Sequence, residues 1–480
     1  MGHKMWDPII GLDIHVQLKT LSKIFYPDST DIGAEQNTQA CAIDLGMPGV
    51  LPVLNEEAVK MAIKFGLAIG ANISDNSIFA RKNYFYPDLP KGYQISQYEI
   101  PIVEGGSIEI IIGNTVKKIN ITRAHLEEDA GKSIHDLFSK ETALDLNRAG
   151  TPLIEIVSEP EMKSAAEAVQ YLKTIHSLVR YLGISDGNMQ EGSFRCDANI
   201  SLMKKGSQTL GTRAEIKNIN SFKFVENAIN YEIIRQSSIL DQGEQIIQET
   251  RLYDPIKNET RSMRSKEEAN DYRYFPDPDL LPVSITPDLI NSIKSNMPEL
   301  PSDKRIRFKD QYGLNDYDTE ILTNNRELSE YFEDVINKTE INPKSAANWI
   351  ITEVLALANK SNIGVKNYPV TPSNLRTLLL NVHEDIISSK QAKDVFERMW
   401  NNGENAQDII EKEGMKQISN TDQLNKVVDN IIKNNYKSVE EYRNGKDKLL
   451  GFFVGQVMKE TQGKGNPKII NKLLKEKLKS

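Results

Sequence analysis

Cysteine is almost missing. Only Cys41 and Cys196 occur in 480 residues, too few for a disulfide framework or a cysteine-only zinc site, and a reducing cytoplasm is the expected setting. No apolar run approaches the ~18 residues that a spanning helix needs, which excludes a helical membrane protein. The opening Met1–Pro8 has neither an apolar stretch nor an Arg/Ser-rich amphipathic one, so no secretory signal or transit peptide is readable. Phosphate loops are also wanting. Asp129-Ala-Gly-Lys-Ser133 holds a Gly-Lys-Ser triplet, but Leu126 stands where a Walker A loop has its first glycine. There is no complete Rossmann glycine fingerprint, no Gly-x-Ser-x-Gly elbow and no glycine-rich Ser–Ser–Lys amidase signature. Neither cysteine sits in a nucleophile motif, so chemistry through a covalent enzyme intermediate is not expected.

What is present reads as a soluble globular protein, 39% apolar and 26% charged, long enough for about three domains. The net charge of −8 is unevenly spread. Residues 411–480 carry 15 Lys and Arg against 9 Asp and Glu, while the rest of the chain stands at −14. A basic tail on an acidic body suits a polyanion partner for the tail, although Lys-rich helices are also common on solvated surfaces. To about residue 296 the pattern is mainly strands and loops; beyond it the periodicity is helical almost to the end. This order predicts separate domains rather than one interleaved sheet. The boundaries fall at 1–296, 297–410 and 411–480, with a hinge near 411–420.

The clearest strand is Ile10-Gly-Leu-Asp-Ile-His-Val-Gln-Leu18. Alternation puts Leu12, Ile14, Val16 and Leu18 on one face and Asp13, His15 and Gln17 on the other. Phe194–Leu202 likewise gathers Arg195, Asp197, Asn199 and Ser201, and Thr212–Lys217 gathers Arg213, Glu215 and Lys217. Residues 107–112 and 116–126 read as a hairpin across Gly113-Asn114-Thr115, and Ala165–Leu182 as an amphipathic helix stopped by Gly183. These are antiparallel-type strands with one core face and one wet face. Asp13 and His15 point into the same space; Glu127, Glu128 and Asp129 end another strand; Glu155 interrupts an apolar one, where an unpaired carboxylate is costly. Several acids with one histidine suit Mg²⁺. An Arg/Lys–carboxylate network through Arg123, Lys132 and Arg148 is the competing reading. The segment Arg81–Gln97 interleaves aromatic, cationic and amide residues with Pro and Gly, as in nucleotide-binding loops or in a tyrosine-pegged loop.

These residues, with Arg81-Lys-Asn-Tyr-Phe-Tyr-Pro-Asp88, His125-Leu-Glu-Glu-Asp-Ala-Gly-Lys-Ser133, Gly150-Thr-Pro-Leu-Ile-Glu155, Glu191-Gly-Ser-Phe-Arg-Cys-Asp-Ala-Asn199 and Asp271-Tyr-Arg-Tyr-Phe-Pro276, closely resemble the GatB/GatE family of tRNA-dependent amidotransferase components. The resemblance runs through essentially the whole chain to Gly455-Gln-Val-Met-Lys459. It implies an α+β protein: an antiparallel-sheet cradle domain, an all-helical domain, and a small helical YqeY-like tail that holds tRNA. The implied activity is ATP- and Mg²⁺-dependent phosphorylation of the side-chain carboxylate of Glu-tRNA(Gln) or Asp-tRNA(Asn). Ammonia released from glutamine by a partner amidase (GatA) then displaces the phosphate, in a heterotrimer completed by a small third protein (GatC).

The resemblance further implies metal ligands at Asp13, His15, Glu128 and Glu155, with Asp13 standing where the family usually has Glu. It places Lys82, Asn83, Tyr84, Tyr93 and Gln94 near the reaction site. Arg195, Arg213 and Lys217 are the cations that the sheet face offers to phosphate oxygens. Zinc is not expected, because Asp44 replaces the second cysteine of the Cys-x-x-Cys that some members carry at Cys41–Asp44. Two rivals remain open: a non-catalytic tRNA-binding scaffold, and a stand-alone metal-dependent kinase of a small carboxylate.

Overall fold

Strict alternation makes the first strand. In β1 (Trp6–Gln17) Leu12, Ile14 and Val16 are fully buried while Asp13, His15 and Gln17 stay partly open. A computed structural model describes residues 5–479 of this chain except 114, 135–137, 139, 266–271, 416–420 and 463. Asn114 of the expected hairpin turn, Asp271 of the family motif and part of the expected hinge therefore lie outside the described residues.

The chain forms two compact units, Met1–Leu300 and Pro301–Ser480. In the first, β1 is followed by β2 (Ala80–Asn83), β3 (Tyr93–Ser96), β4 (Thr115–Glu128), β5 (Pro152–Ser158), β6 (Phe194–Lys204), β7 (Ala214–Lys217), β8 (Glu249–Asp254) and β9 (Glu259–Ser265). They join in one large sheet in the order β9-β8-β7-β6-β1-β5-β4-β3-β2, closed at that edge by Phe275–Pro276. Pairing is antiparallel except between β7 and β8, which run parallel. That pair departs from the all-antiparallel expectation, because a long helix returns the chain between the two strands. The fold class is the one expected, a mixed α and β domain with an antiparallel-dominated sheet followed by helices.

One face of the sheet builds the core. Ile14, Val16, Leu126, Ile154 and Ala198 are fully buried there against helices α1 (Glu56–Ala68), α2 (Ala165–Tyr181) and α3 (Phe222–Asp241). Helix α2 matches its expected span within a residue, and the chain leaves it through Gly183 at φ +71°. Helices α1 and α3 were not expected. In α3, Val225, Ala228, Ile229 and Ile233 recur at helical spacing, and the Ser221 side chain accepts from Phe224 N, so the signals were present.

The second unit is helical. Its apolar residues gather in two clusters, one spanning Phe308–Ile410 and one spanning Leu424–Leu478. Among the described residues no helix is long and apolar enough to cross a membrane.

Candidate active site

Register across the wet face of the sheet assembles the site. Arg195 pairs with His15, His15 with Glu155, and Glu155 with His125, so one row crosses β6, β1, β5 and β4. On one side of it the neighbouring row runs Asp197, Asp13, Val157 and Arg123; on the other side it holds Gln17, Leu153 and Glu127. Directly paired side chains stand about 4.5–5.5 Å apart. Residues from four strands, distant in sequence, thus share one surface.

At its centre are His15, Glu127 and Glu155, each offering a ligand atom, all within 4.8 Å of one another. His15 Nε2 lies 3.6 Å from Glu127 Oε1 and 3.7 Å from Glu155 Oε2. His125 Nε2 lies 3.1 Å from Glu155 Oε2, and its buried Nδ1 has no hydrogen-bond partner among the described residues. Burial works to raise the Glu155 carboxyl, but His125, His15 and Lys82 outweigh it and hold it well below the usual carboxylate range. Two ionisable carboxylates and one imidazole form a donor set that fits a divalent cation leaning on oxygen ligands, with water or phosphate completing the shell.

Of the expected ligands, Glu128 stands outside this group. Alternation in β4 sends Arg123, His125 and Glu127 to the wet face and Glu128 to the core side. There its Oε1 accepts from the buried Lys91 ammonium and from Ile95 N at 2.8 Å. Burial raises its carboxyl despite Lys91. Glu127 is the neighbouring acid that falls in the three-residue group. Asp13 lines the same cavity, but its Oδ2 accepts from Asn199 Nδ2 at 2.8 Å and it stands outside the three-residue group. Burial first, then Glu155 and Asp197, push the Asp13 carboxyl up to about 6.

A cavity of about 400 Å³ opens over this cluster, with a second of about 630 Å³ sharing Asp13, Glu155, Arg123 and Arg213 with it. Tyr98 stacks on Tyr274 at 4.3 Å, and Tyr272 meets Tyr274 edge-on; all three line the first cavity. Lys82 reaches this wall, its Nζ 4.8 Å from the Tyr272 ring centre. Burial opposes its charge, but Tyr274, Glu127 and Glu155 outweigh that and raise its pKa, so it stays an ammonium.

The other residues expected from the Arg81–Gln97 segment support the wall instead of lining the cavity. Asn83 Nδ2 donates to Arg273 O and Tyr272 O at 2.9 and 3.1 Å, tying the tyrosine segment to β2. Tyr84 donates to Gln94 Oε1 at 3.2 Å, Gln94 Nε2 donates to Glu128 O at 2.7 Å, and Tyr93 lies under the Arg81 guanidinium. Two of the three expected phosphate cations are already engaged. Arg195 Nη2 lies 2.9 Å from the buried Asp129 carboxylate, which Gln17 also contacts. Lys217 Nζ lies 2.5 Å from Asp197. Arg213 lines both cavities, with no ion pair among the described residues. At the place of the zinc motif, Asp44 faces the buried Lys23 at 3.3 Å and accepts from Cys41 N at 3.0 Å and from the Tyr26 hydroxyl.

Sequence reasoning offered Glu127 only as one of three adjacent acids, and did not single out His125, Arg123 or the tyrosines as members of this site. The first three were readable from phase, since Ala124 and Leu126 between them are fully buried.

A sheet with an apolar face under helices and a wet face that concentrates acids, imidazoles and cations in a tyrosine-walled hollow defines a catalytic cradle followed by helical appendages. The comparisons agree. Residues 8–291 match the GatB/GatE catalytic domain and residues 330–478 a second GatB domain. Proteins named as the B subunit of the aspartyl/glutamyl-tRNA(Asn/Gln) amidotransferase are similar over nearly the full chain. That of Alkalilimnicola ehrlichii is 59% identical over 476 residues, covering 99% of this chain and 100% of that protein. That of Thioalkalivibrio sulfidiphilus is 60% identical over 475 residues, covering 98% and 99%. That of Vesicomyosocius okutanii is 57% identical over 473 residues, covering 98% and 99%. The chain belongs to the GatB family.

Proposed function

We propose that this chain is the activating and tRNA-binding subunit of a glutamine-dependent tRNA amidotransferase, a carbon–nitrogen ligase of the cytoplasm. Its substrates are Glu-tRNA(Gln), Asp-tRNA(Asn), or both. It works with an amidase that supplies ammonia and with a third, smaller protein. The observation that carries this reading is the convergence of His15 and Glu155 in a cavity bordered by Lys82, Arg123 and Arg213, with the buried Glu127 grouped against both.

The chemistry follows from the substrate. A carboxylate does not accept ammonia, because its leaving group would be an oxide. One carboxylate oxygen therefore attacks the γ-phosphorus of ATP; the bond to ADP breaks and an acyl phosphate forms. Ammonia then attacks the acyl carbon, phosphate leaves with the bond pair, and a proton lost from nitrogen completes the amide. Such phosphoryl transfer relies mainly on positioning and charge neutralisation. His15, Glu127 and Glu155 would hold Mg²⁺, with Asp13 close enough to act through water. When bound, that ion supplies neutralisation of the phosphate oxygens. Lys82, kept charged beside the two acids, faces the charge that develops on the transferred group. Tyr98, Tyr272 and Tyr274 exclude water from one side of the cavity, and Asn83 fixes the segment that carries two of them. The basic residues 411–480 suit the tRNA body.

The test is direct. The chain, assembled with its amidase and its third component, is given Glu-tRNA(Gln), ATP, Mg²⁺ and glutamine, and Gln-tRNA(Gln) and ADP are assayed. Absence of both products from an assembled complex contradicts the proposal.

A further inference from the structure

Cations on and around the wet face are mostly neutralised from within. Arg195 is held by Asp129, Lys217 by Asp197, Arg81 by Asp277 and Asp279, and Arg251 by Glu249. Arg123 and Arg213 differ. Among the described residues neither side chain has a hydrogen bond or an ion pair, yet both line the two cavities that flank Asp13 and Glu155. Arg123 is only partly exposed, its Nε is buried without a partner, and its guanidinium stands 5.9 Å from the Tyr98 ring. Its neighbours across the strands are Val157, which offers no counter-charge, and Glu104, an exposed carboxylate that accepts from Asn72 Nδ2 and makes no ion pair with Arg123 among the described residues. A guanidinium withdrawn from water and left unpaired is costly, and an anionic ligand removes that cost.

The placement of the two arginines says which anion. Arg123 lies on β4, four residues before Glu127 and two before His125. Arg213 immediately precedes β7, four strand spacings away across the sheet. At about 4.8 Å per spacing the two backbones are roughly 19 Å apart. Two long side chains reaching inward leave a gap on the scale of a polyphosphate, too wide for one carboxylate to touch both.

We propose that Arg123 and Arg213 form a two-armed clamp for the triphosphate of ATP. Arg123 grips the transferred phosphoryl group beside the His15–Glu127–Glu155 cluster, and Arg213 holds the phosphates further from it. The proposal rests on the reading that this cradle uses ATP, and it replaces Arg195 and Lys217 as the phosphate contacts.

The assembled complex is assayed for ADP formation with Glu-tRNA(Gln), alongside tRNA affinity and glutamine hydrolysis, for Arg123→Gln, Arg123→Lys and Arg213→Ala. Arg123→Gln raises the KM for ATP about tenfold to a hundredfold and lowers kcat, as expected for lost charge-assisted bonds. Arg123→Lys recovers part of the loss, because it restores charge but not the two-pronged fork. Arg213→Ala, at an exposed position whose truncation leaves the fold intact, raises the KM for ATP with kcat nearly unchanged. Affinity for tRNA stays as in the wild type throughout. If the wild-type complex forms ADP and both Arg123→Gln and Arg213→Ala keep its KM for ATP, the clamp is wrong while the reading beneath it stands. A rise confined to the KM for tRNA overturns the clamp as well, because the anion is then the tRNA backbone. A wild-type complex that forms no ADP contradicts the ATP reading itself.

Discussion

Glu127 and Glu128 are adjacent acids with opposite fates, so changing each to Gln separates catalysis from stability. Glu127 is buried beneath the cavity's His15, 3.6 Å from its Nε2, with Ser96 Oγ as a further contact at 3.4 Å. Glu127→Gln keeps the shape and removes one of two anionic donors. Loss of a partner in the outer layer of a metal site costs about 10–100-fold, and a direct carboxylate donor should cost at least the upper end of that range. Its effect on stability should be small, because the change relieves repulsion with Glu155. Glu128 is the reverse case. Its side chain and that of Lys91 retain 2% and 4% of their exposure, so the pair is effectively out of water. Removing one partner of such a pair costs about 3–5 kcal/mol. Gln still accepts from Ile95 N, which reduces the expected loss to about 2–4 kcal/mol. For a unit of this size that lowers Tm by roughly 3–6 °C. The assay is ADP formation by the assembled complex, with calorimetry of each variant. Glu127→Gln should be inactive at near wild-type Tm; Glu128→Gln should keep most of its activity below its lowered Tm. The opposite pattern would refute the assignment of Glu127 and restore Glu128 as the ligand.

Other perturbations have equally definite outcomes. Lys82→Met should lower ADP formation at least about a hundredfold while leaving tRNA affinity unchanged, on the scale of one lost transition-state donor; unchanged ADP formation would remove Lys82 from the site. Asn83→Ala frees the carbonyls of Tyr272 and Arg273 and should raise the KM for ATP more than it lowers kcat, with faster hydrogen exchange in the tyrosine segment as the second readout. Removing residues 416–480 should weaken tRNA binding and flatten its salt dependence, since fewer phosphates are neutralised; the same slope in the truncated complex would contradict a tRNA-binding role for the tail. Burial pushes the Cys41 thiol up and the Cys196 thiol further. Both should therefore resist alkylation at pH 7, and the isolated chain should release no ammonia from glutamine.

Much of the cradle was legible because alternation is local. The phase of Leu12, Ile14 and Val16 located the wet face on which Asp13 and His15 stand, and Glu155 was conspicuous as an acid in an apolar strand. Glu128 divides two kinds of signal: the same alternation, read outward from Ala124 and Leu126, puts Arg123, His125 and Glu127 on the wet face, whereas the family pattern points to Glu128. What no local signal could supply was register. That Glu155 stands between His15 and His125, or that Asp129 reaches across to neutralise Arg195, depends on which strands pair and at what offset. His15 and Arg195 are partners across the sheet with most of the cradle between them in sequence, and such a pairing leaves no mark in either segment alone. Helix α3 was a different kind of miss. Its apolar residues recur at helical spacing, but Glu232 and Gln236 on the buried side hide the stripe. Arg235 and Arg251 hold the Glu232 carboxylate there, and Gln236 Nε2 donates to the Ile200 carbonyl.

The central claim is that this sheet face turns a tRNA-bound carboxylate into an acyl phosphate. The measurement that tests it most directly uses Glu-tRNA(Gln) carrying ¹⁸O in the side-chain carboxylate, incubated with the assembled complex, ATP, Mg²⁺ and glutamine. Mass analysis of the released phosphate should find one labelled oxygen per phosphate, in step with Gln-tRNA(Gln) formed, and Glu127→Gln should abolish both together. Amide formation with no label in the phosphate would contradict the account, because the carboxylate oxygen would then never have been bonded to phosphorus.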